Sequence, residues 1–163
     1  AGFGSASRTT IFDYWGVPAH QRWMNGGAFD GGQSTPQEKE LHQFYRRLLR
    51  FSSTSAALNG NYREIHSFNR ENTAGYNDKV FSFVRWNDNN RVIIVCNFSD
   101  SETYSLELKL DARTIEDWHL VDGDYALTDV LTNDGEHRLN VTNNKAQINV
   151  VLKPLQSFIF QVD

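Results

Sequence analysis

The stretch KVFSFVRWNDNNRVIIVCNF, residues 79–98, decides the fold class of this chain. It holds two apolar segments, 79–86 and 91–98, each with the length and residue types of a short β-strand. The four residues between the segments are all Asn or Asp, a composition typical of a tight turn. The stretch therefore predicts an antiparallel hairpin.

The sequence after this hairpin continues with a period of two. In residues 103–110 the apolar side chains of Tyr104, Leu106, Leu108 and Leu110 alternate strictly with polar ones. Further strands are predicted at 62–68, 118–122, 125–131, 137–141, 146–152 and 156–162. Short strands joined by tight turns, with no helices between them, indicate a mainly β domain, an antiparallel β-sandwich.

The sequence before the hairpin has a different character. Residues 1–34 hold seven of the 11 glycines and read as loop, with a short helix predicted over 17–25. Thr35 and Glu38 then form a capping box, with proline at the first helical position. A single amphipathic helix over 35–52 follows. Its apolar stripe consists of Leu41, Phe44, Tyr45, Leu48 and Leu49.

The composition excludes several classes of protein. The chain has 163 residues and a net charge of −4, so nothing in its charge favours a nucleic acid or an anionic membrane as a partner. No apolar run approaches the roughly 20 residues of a membrane span. The single cysteine, Cys96, excludes an internal disulfide and is expected to be a small buried apolar side chain. No feature indicates a cellular compartment.

The remaining chemistry-bearing residues form no motif. The five histidines lie at no metal-ligand spacing, and no pair of carboxylates is singled out as a hydrolytic pair. Turn acids such as Asp100 leave a loop calcium site as an alternative. Trp86 and Trp118 are expected in the core, with exposed platforms for starch as the alternative.

Several phrases of the sequence together resemble a known family. They are IFDYWGVPAHQRWMNGG (11–27), ELHQFYRRLLRF (40–51), ALNGNY (57–62), the hairpin segments, and PLQSFIF (154–160). In this order they resemble the end of the catalytic barrel and the following domain C of α-amylase-type glycoside hydrolases, family 13. The resemblance implies that residues 1–58 are a barrel remnant and residues 59–163 a Greek-key β-sandwich.

The resemblance also implies what is missing. The family cleaves α-glucosidic bonds with retention, using a carboxylate nucleophile, a Glu general acid and a third Asp. Its Arg-x-Asp and Asn-His-Asp motifs do not occur here. We therefore expect a fragment that is structural and inactive alone, whose parent acts on α-glucans and whose missing partner is the catalytic barrel. The resemblance allows calcium as a cofactor of the parent, and we expect no cofactor in the fragment itself. The alternative function is a starch-binding or maltooligosaccharide-binding module.

The resemblance assigns roles to the aromatic N-terminal segment as well. Tyr14 and Trp15 could stack on sugar rings, or alternatively pack between barrel and sandwich, and Arg8 and Asp13 could bind sugar hydroxyls, once the missing barrel is present. Phe12 and Trp23 are expected to pack between barrel and sandwich. Without a barrel, the stripe of helix 35–52 is expected to fold over its own sandwich or to pair with a second copy in a homodimer.

Overall fold

A computed structural model describes residues 17–132 and 135–162. The chain divides into two compact units between Arg46 and Arg47, so that the first half of one helix belongs to the first unit and its second half to the second. The boundary expected from the resemblance, between residues 58 and 59, concerns the parent's barrel and stays a prediction.

The first unit contains the two helical features expected from the sequence. Helix α1 spans Pro18–Met24 and ends at Asn25 in the left-handed conformation. The capping box is formed, because the Thr35 amide donates to Glu38 at 2.9 Å and the Glu38 amide donates to Thr35 Oγ1 at 3.3 Å. Arg22 adds an ion pair to the same carboxylate. The short helix and the capping box are thus confirmed.

Helix α2 spans Pro36–Thr54, close to the predicted bounds. Its apolar stripe is open, since Leu41, Tyr45 and Leu49 are 57%, 51% and 62% exposed. The buried side chain of the helix is Phe51, which lies outside the predicted stripe.

The second unit is built on one eight-stranded antiparallel sheet. Its strands are β1 (Asn61–Glu64), β2 (Val80–Trp86), β3 (Arg91–Asn97), β4 (Tyr104–Leu110), β5 (Gly123–Asp129), β6 (His137–Thr142), β7 (Lys145–Leu152) and β8 (Ser157–Val162). They are ordered β1-β2-β3-β8-β5-β6-β7-β4. Strands β5, β6 and β7 are sequential neighbours and β4 lies beside β7, which is a Greek key. The predicted antiparallel Greek-key β fold is confirmed.

Two predicted strands are wrong in part or in whole. The segment 62–68 is a strand only to Glu64, and helix α3 then spans His66–Asn72. The Glu64 carboxylate accepts from the Ser67 amide at 2.9 Å, which favours the helical turn. The segment 118–122 is no strand at all. Helix α4 spans Ala112–Asp117 ahead of it, started by Asp111, whose carboxylate accepts from the Thr114 amide at 2.7 Å.

The sheet curls until its distant strands meet. Asn97, at the end of β3, donates to the carbonyls of Glu102, Leu152 and Lys153 at 2.8, 3.3 and 2.9 Å, although β8, β5 and β6 lie between β3 and β7 in the sheet. The inner side chains of the strands accordingly form one continuous hydrophobic cluster. The core that was predicted to lie between the two sheets of a sandwich is therefore enclosed by one curled sheet.

Candidate docking face

The four residues expected to contact sugar, Arg8, Asp13, Tyr14 and Trp15, lie outside the described residues, as does Phe12. Their roles remain predictions. Trp23 is described: it is 40% exposed, and its ring meets that of Phe29 edge-on at 6.0 Å.

The two tryptophans considered as starch platforms are in the core. Trp86 is 9% and Trp118 is 1% exposed, and their rings meet edge-on at 6.3 Å. Arg63 lies over the Trp86 ring at 5.2 Å and donates to Asp117 at 2.5 Å. The platform alternative is wrong for both residues, because neither ring presents a face to water.

The sheet has two halves that differ on their outer surface. In β4, β5, β6 and β7, which we call the one-sided half, the apolar residues face the core and the outer positions are mostly polar and exposed. In β1, β2, β3 and β8, the two-sided half, apolar side chains occupy the outer positions as well. These outer apolar residues are Tyr62, Phe81, Phe83, Val92, Ile94 and Ile159. Strands that are apolar on both faces are typical of a sheet covered on both sides.

One part of this outer surface is covered within the second unit. Val92 and Ile94 are 1% and 6% exposed although they point away from the core. Val92 lines the same small cavity as Phe51 and Ala56, so the end of α2 and the following turn lie over β3. Arg85 fastens this turn by donating to the carbonyl of Leu58. The end of α2 therefore covers the outer side of β3.

The other part carries a continuous row of rings, which we call the aromatic row: Tyr62, Phe83, Phe81 and His66. The centroids of neighbouring rings are 5.7, 5.9 and 5.3 Å apart. Tyr62 is 53% exposed and the other three rings are half-buried. Rings at these distances gain from mutual contact, but their outer faces remain available to a partner.

The polar groups around the aromatic row are held in fixed positions. His66 Nδ1 lies 2.9 Å from the Val80 carbonyl oxygen and 3.3 Å from the Tyr76 hydroxyl. Burial raises the pKa of Tyr76 to about 12, so this hydroxyl stays protonated. Partial burial works to raise the pKa of Glu64, yet hydrogen bonds from Ser67 outweigh it and the pKa is lowered. The row is a mainly apolar surface flanked by hydrogen-bonded polar groups.

Within residues 17–132 and 135–162, no three His, Cys, Asp or Glu side chains come together as a metal site requires. A surface depression beside helix α4 is lined by the carboxylates of Glu116 and Asp117, which are both exposed. Cys96 is half-buried on the outer side of β3, and burial raises the pKa of its thiol. No helix among the described residues is long and apolar enough to cross a membrane.

The sequence analysis missed the aromatic row, although a signal for it was present. Residues 80–86 and 91–97 are apolar at both odd and even positions, in contrast to the strict alternation of 103–110. Such a difference distinguishes a strand covered on both faces from a strand covered on one.

Comparisons with known proteins agree with this architecture. The family model of the C-terminal all-β domain of α-amylase matches residues 71–163. The crystal structure of a maltogenic α-amylase, AmyB from Thermotoga neapolitana, superposes with a TM-score of 0.54 at 20% identity, over 79% of this chain and 27% of that one. That of AmyP in complex with maltose gives 0.50 at 18% identity, over 80% and 22%.

An Anoxybacillus α-amylase gives a TM-score of 0.50 at 16% identity, over 83% of this chain and 25% of that one. The chain thus spans about a quarter of the length of these structures. No curated protein matches it. Because the family model covers more than half of the residues, this chain belongs to the α-amylase family of glycoside hydrolases, as a member that carries the family's C-terminal all-β domain.

Proposed function

We propose that the chain is the C-terminal part of an α-amylase-family enzyme acting on α-glucans, and that its role there is structural. The observation that supports this best is the two-sided half of the sheet, whose aromatic row is mainly apolar and only half covered. The catalytic barrel of the parent is the proposed cover. Completing the burial of one such ring contributes on the order of 1 kcal/mol, because half of its area is already buried.

The exposed stripe of α2 supports the same proposal from the first unit. Leu41 and Tyr45 are more than half exposed on a helix that resembles the final helix of the barrel. Monomeric proteins rarely expose a continuous apolar surface of this kind. In the parent, neighbouring barrel helices would cover the stripe. In the isolated chain we propose a homodimer through it, so light scattering should show a dimer that Leu41→Glu with Leu49→Glu converts to monomer.

The docking proposal is tested by isothermal titration calorimetry, in which this chain is titrated with the separately produced catalytic barrel of its parent. Phe83→Gln removes one ring of the aromatic row, and we expect it to weaken association about tenfold. The matched control is Val151→Gln, which places the same side chain on the outer surface of the one-sided half, where Val151 is 54% exposed. Equal effects of the two substitutions would contradict docking through the row.

We propose further that the chain does not hydrolyse α-glucans by itself. A retaining glycosidase needs a nucleophile and a carboxylic acid whose pKa is raised. The family motifs that supply them are absent from the sequence, and the pKa of the carboxyl group beside the aromatic row, Glu64, is lowered. Purified chain should release no reducing sugar from maltoheptaose. Turnover that co-elutes with the chain through two different columns would refute this.

Carbohydrate binding is the second candidate, and the exposed ring of Tyr62 is the observation that favours it. Arg85 lies 5.9 Å from this ring, so an aromatic face and a hydrogen-bond donor are close together. Titration with maltoheptaose, followed by tryptophan fluorescence and calorimetry, distinguishes this candidate. A dissociation constant in the millimolar range or tighter, with binding lost in Tyr62→Ala, would support this candidate. The absence of heat at about 10 mM sugar, a concentration that corresponds to a binding free energy of about 3 kcal/mol, would exclude it.

A further inference from the structure

Strand β4 forms one edge of the sheet, and helix α3 occupies the backbone groups on that edge. Asn69 Nδ2 donates to the Lys109 carbonyl oxygen at 2.8 Å, and the Lys109 amide donates to Asn69 Oδ1 at 2.9 Å. The Asn69 carboxamide therefore pairs with Lys109 in both directions, as the backbone of a ninth strand would.

A second side chain of the same segment extends this pairing. The Thr73 hydroxyl lies 3.1 Å from the Glu107 carbonyl oxygen and 2.7 Å from Asn69 Oδ1, and its single proton is shared between these two acceptors. Asn69 also donates to the Ile65 carbonyl oxygen at 2.8 Å, which fixes its amide. Asn69 is fully buried and Thr73 is 6% exposed. Two buried polar side chains thus cover three outward backbone groups of β4.

An uncovered β4 would be well suited to pair with its own copy. Lys109 points its amide and carbonyl outward, and Glu107 does the same because strand residues alternate between the two sides. An antiparallel pair of β4 strands centred on Leu108 would place Glu107 of each strand opposite Lys109 of the other, which gives two such pairs. Opposite charges in directly facing positions favour this register. Exposed edges of this kind are the usual route to unwanted strand pairing.

We propose that Asn69 and Thr73 form an edge lock, which prevents a second copy of this chain from adding to the sheet through β4. The lock acts by occupying the outward groups of Glu107 and Lys109 with side chains of α3. It does not depend on the proposed function, since its bonds join Asn69 and Thr73 to β4 and none of the four rings of the aromatic row takes part in them.

The test compares self-association of the full chain with and without the lock. Asn69→Ala combined with Thr73→Val removes the three bonds to β4, and Thr73→Val alone removes one of them. Asn72→Ala is the matched control, because Asn72 lies on the same helix and its side chain donates to the Phe68 carbonyl oxygen and not to β4. By analytical ultracentrifugation the double variant should associate at least about tenfold more tightly than the wild type, and the control should not.

A rescue variant separates edge pairing from other association. Glu107→Pro removes an outward amide that takes no part in the ladder with β7, and proline is tolerated on sheet edges. Adding it to the double variant should restore wild-type association. All variants are compared in a Leu41→Glu, Leu49→Glu background, which removes the proposed pairing through the stripe of α2, so that association through β4 is measured alone.

Three results would overturn the proposal. The first is a folded double variant, by circular dichroism, that associates no more than the wild type. The second is increased association that Glu107→Pro leaves unchanged. If the double variant does not fold, the folded Thr73→Val variant decides: faster hydrogen exchange of the Lys109 amide with stronger association supports the lock, and unchanged association overturns it.

Discussion

The inner surfaces of the two halves of the sheet are both apolar, but their outer surfaces differ in polarity. On the inside, both contribute to one hydrophobic cluster, from Val84 and Phe160 in the two-sided half to Leu108 and Ile148 in the one-sided half. On the outside, the one-sided half is mostly polar, whereas the two-sided half is buried under the end of α2 or carries the aromatic row. The difference is the basis of our proposal that the outer surface of the two-sided half binds a partner.

The largest expected effect distinguishes the inner from the outer surface within the two-sided half. Phe160 is completely buried, so Phe160→Ala should lower the free energy of unfolding by about 3–5 kcal/mol. Phe83→Ala removes a half-buried outer ring, and the expected loss is about 1 kcal/mol. Urea denaturation monitored by fluorescence measures both values. Equal losses would show that the outer ring is already as well packed as the core.

The next effect concerns the junction between the halves. Asn97→Ala removes the amide that bonds to three carbonyl groups on the far side of the curl. We expect a loss of about 2–4 kcal/mol, because one buried and two partly buried carbonyl groups then lose this partner. A matched control is Asn149→Ala, an exposed asparagine on the outer side of β7, which should change stability by less than about 0.5 kcal/mol. A cost for Asn97→Ala as small as that of the control would mean that the curl does not depend on this residue.

A smaller effect appears at high pH and reports on the inner surface beside the aromatic row. The pKa of Tyr76 is raised from 10.0 to about 12, chiefly by burial, so the folded state retains this proton longer than the unfolded state. The corresponding stability is fully present below pH 10 and is lost as the pH rises toward 12. Stability curves of the wild type and Tyr76→Phe should therefore converge above pH 10. Parallel curves through this range would contradict the assignment.

The smallest effect lies outside both halves, at the start of α2. A hydrogen bond from Arg22, followed by one from the Thr35 amide, lowers the pKa of Glu38 from 4.5 to about 2. The stability that this carboxylate contributes is present above pH 4.5 and is lost as the pH falls toward 2. A carbon NMR titration of the Glu38 carboxyl group measures its pKa directly. A midpoint near 4.5 would show that the capping box and the ion pair are not formed in solution.

The elements that sequence reasoning predicted correctly are those whose signals are local. The capping box of Thr35 and Glu38 needs only three residues of spacing, and the alternation in 103–110 needs only one strand. The hairpin of β2 and β3 was likewise predicted from its turn residues. The errors arose where a short apolar segment had two interpretations. Residues 118–122 have strand composition, but Asp111 starts a helix that ends at Asp117, and the amides of Trp118, His119 and Leu120 donate to carbonyl groups of that helix.

The candidate site was less accessible from the sequence than the fold. The residues expected to contact sugar are outside the described part of the chain, and the two tryptophans considered as platforms are in the core. The aromatic row joins Tyr62 and Phe83 across two strands and His66 from a helix, which no spacing rule places together. Only pairing of β1 with β2 brings these rings into one surface.

The sequence by itself determined the antiparallel β fold, the single long helix and the resemblance to the α-amylase family, because periodicity, capping and turn residues act over a few neighbouring positions. Only the tertiary structure decided that the sheet curls onto Asn97, that Asn69 completes the edge of β4, and that one half of the sheet is left with an uncovered aromatic surface. These three features depend on contacts between residues far apart in the chain, and such contacts exist only once the strands have paired.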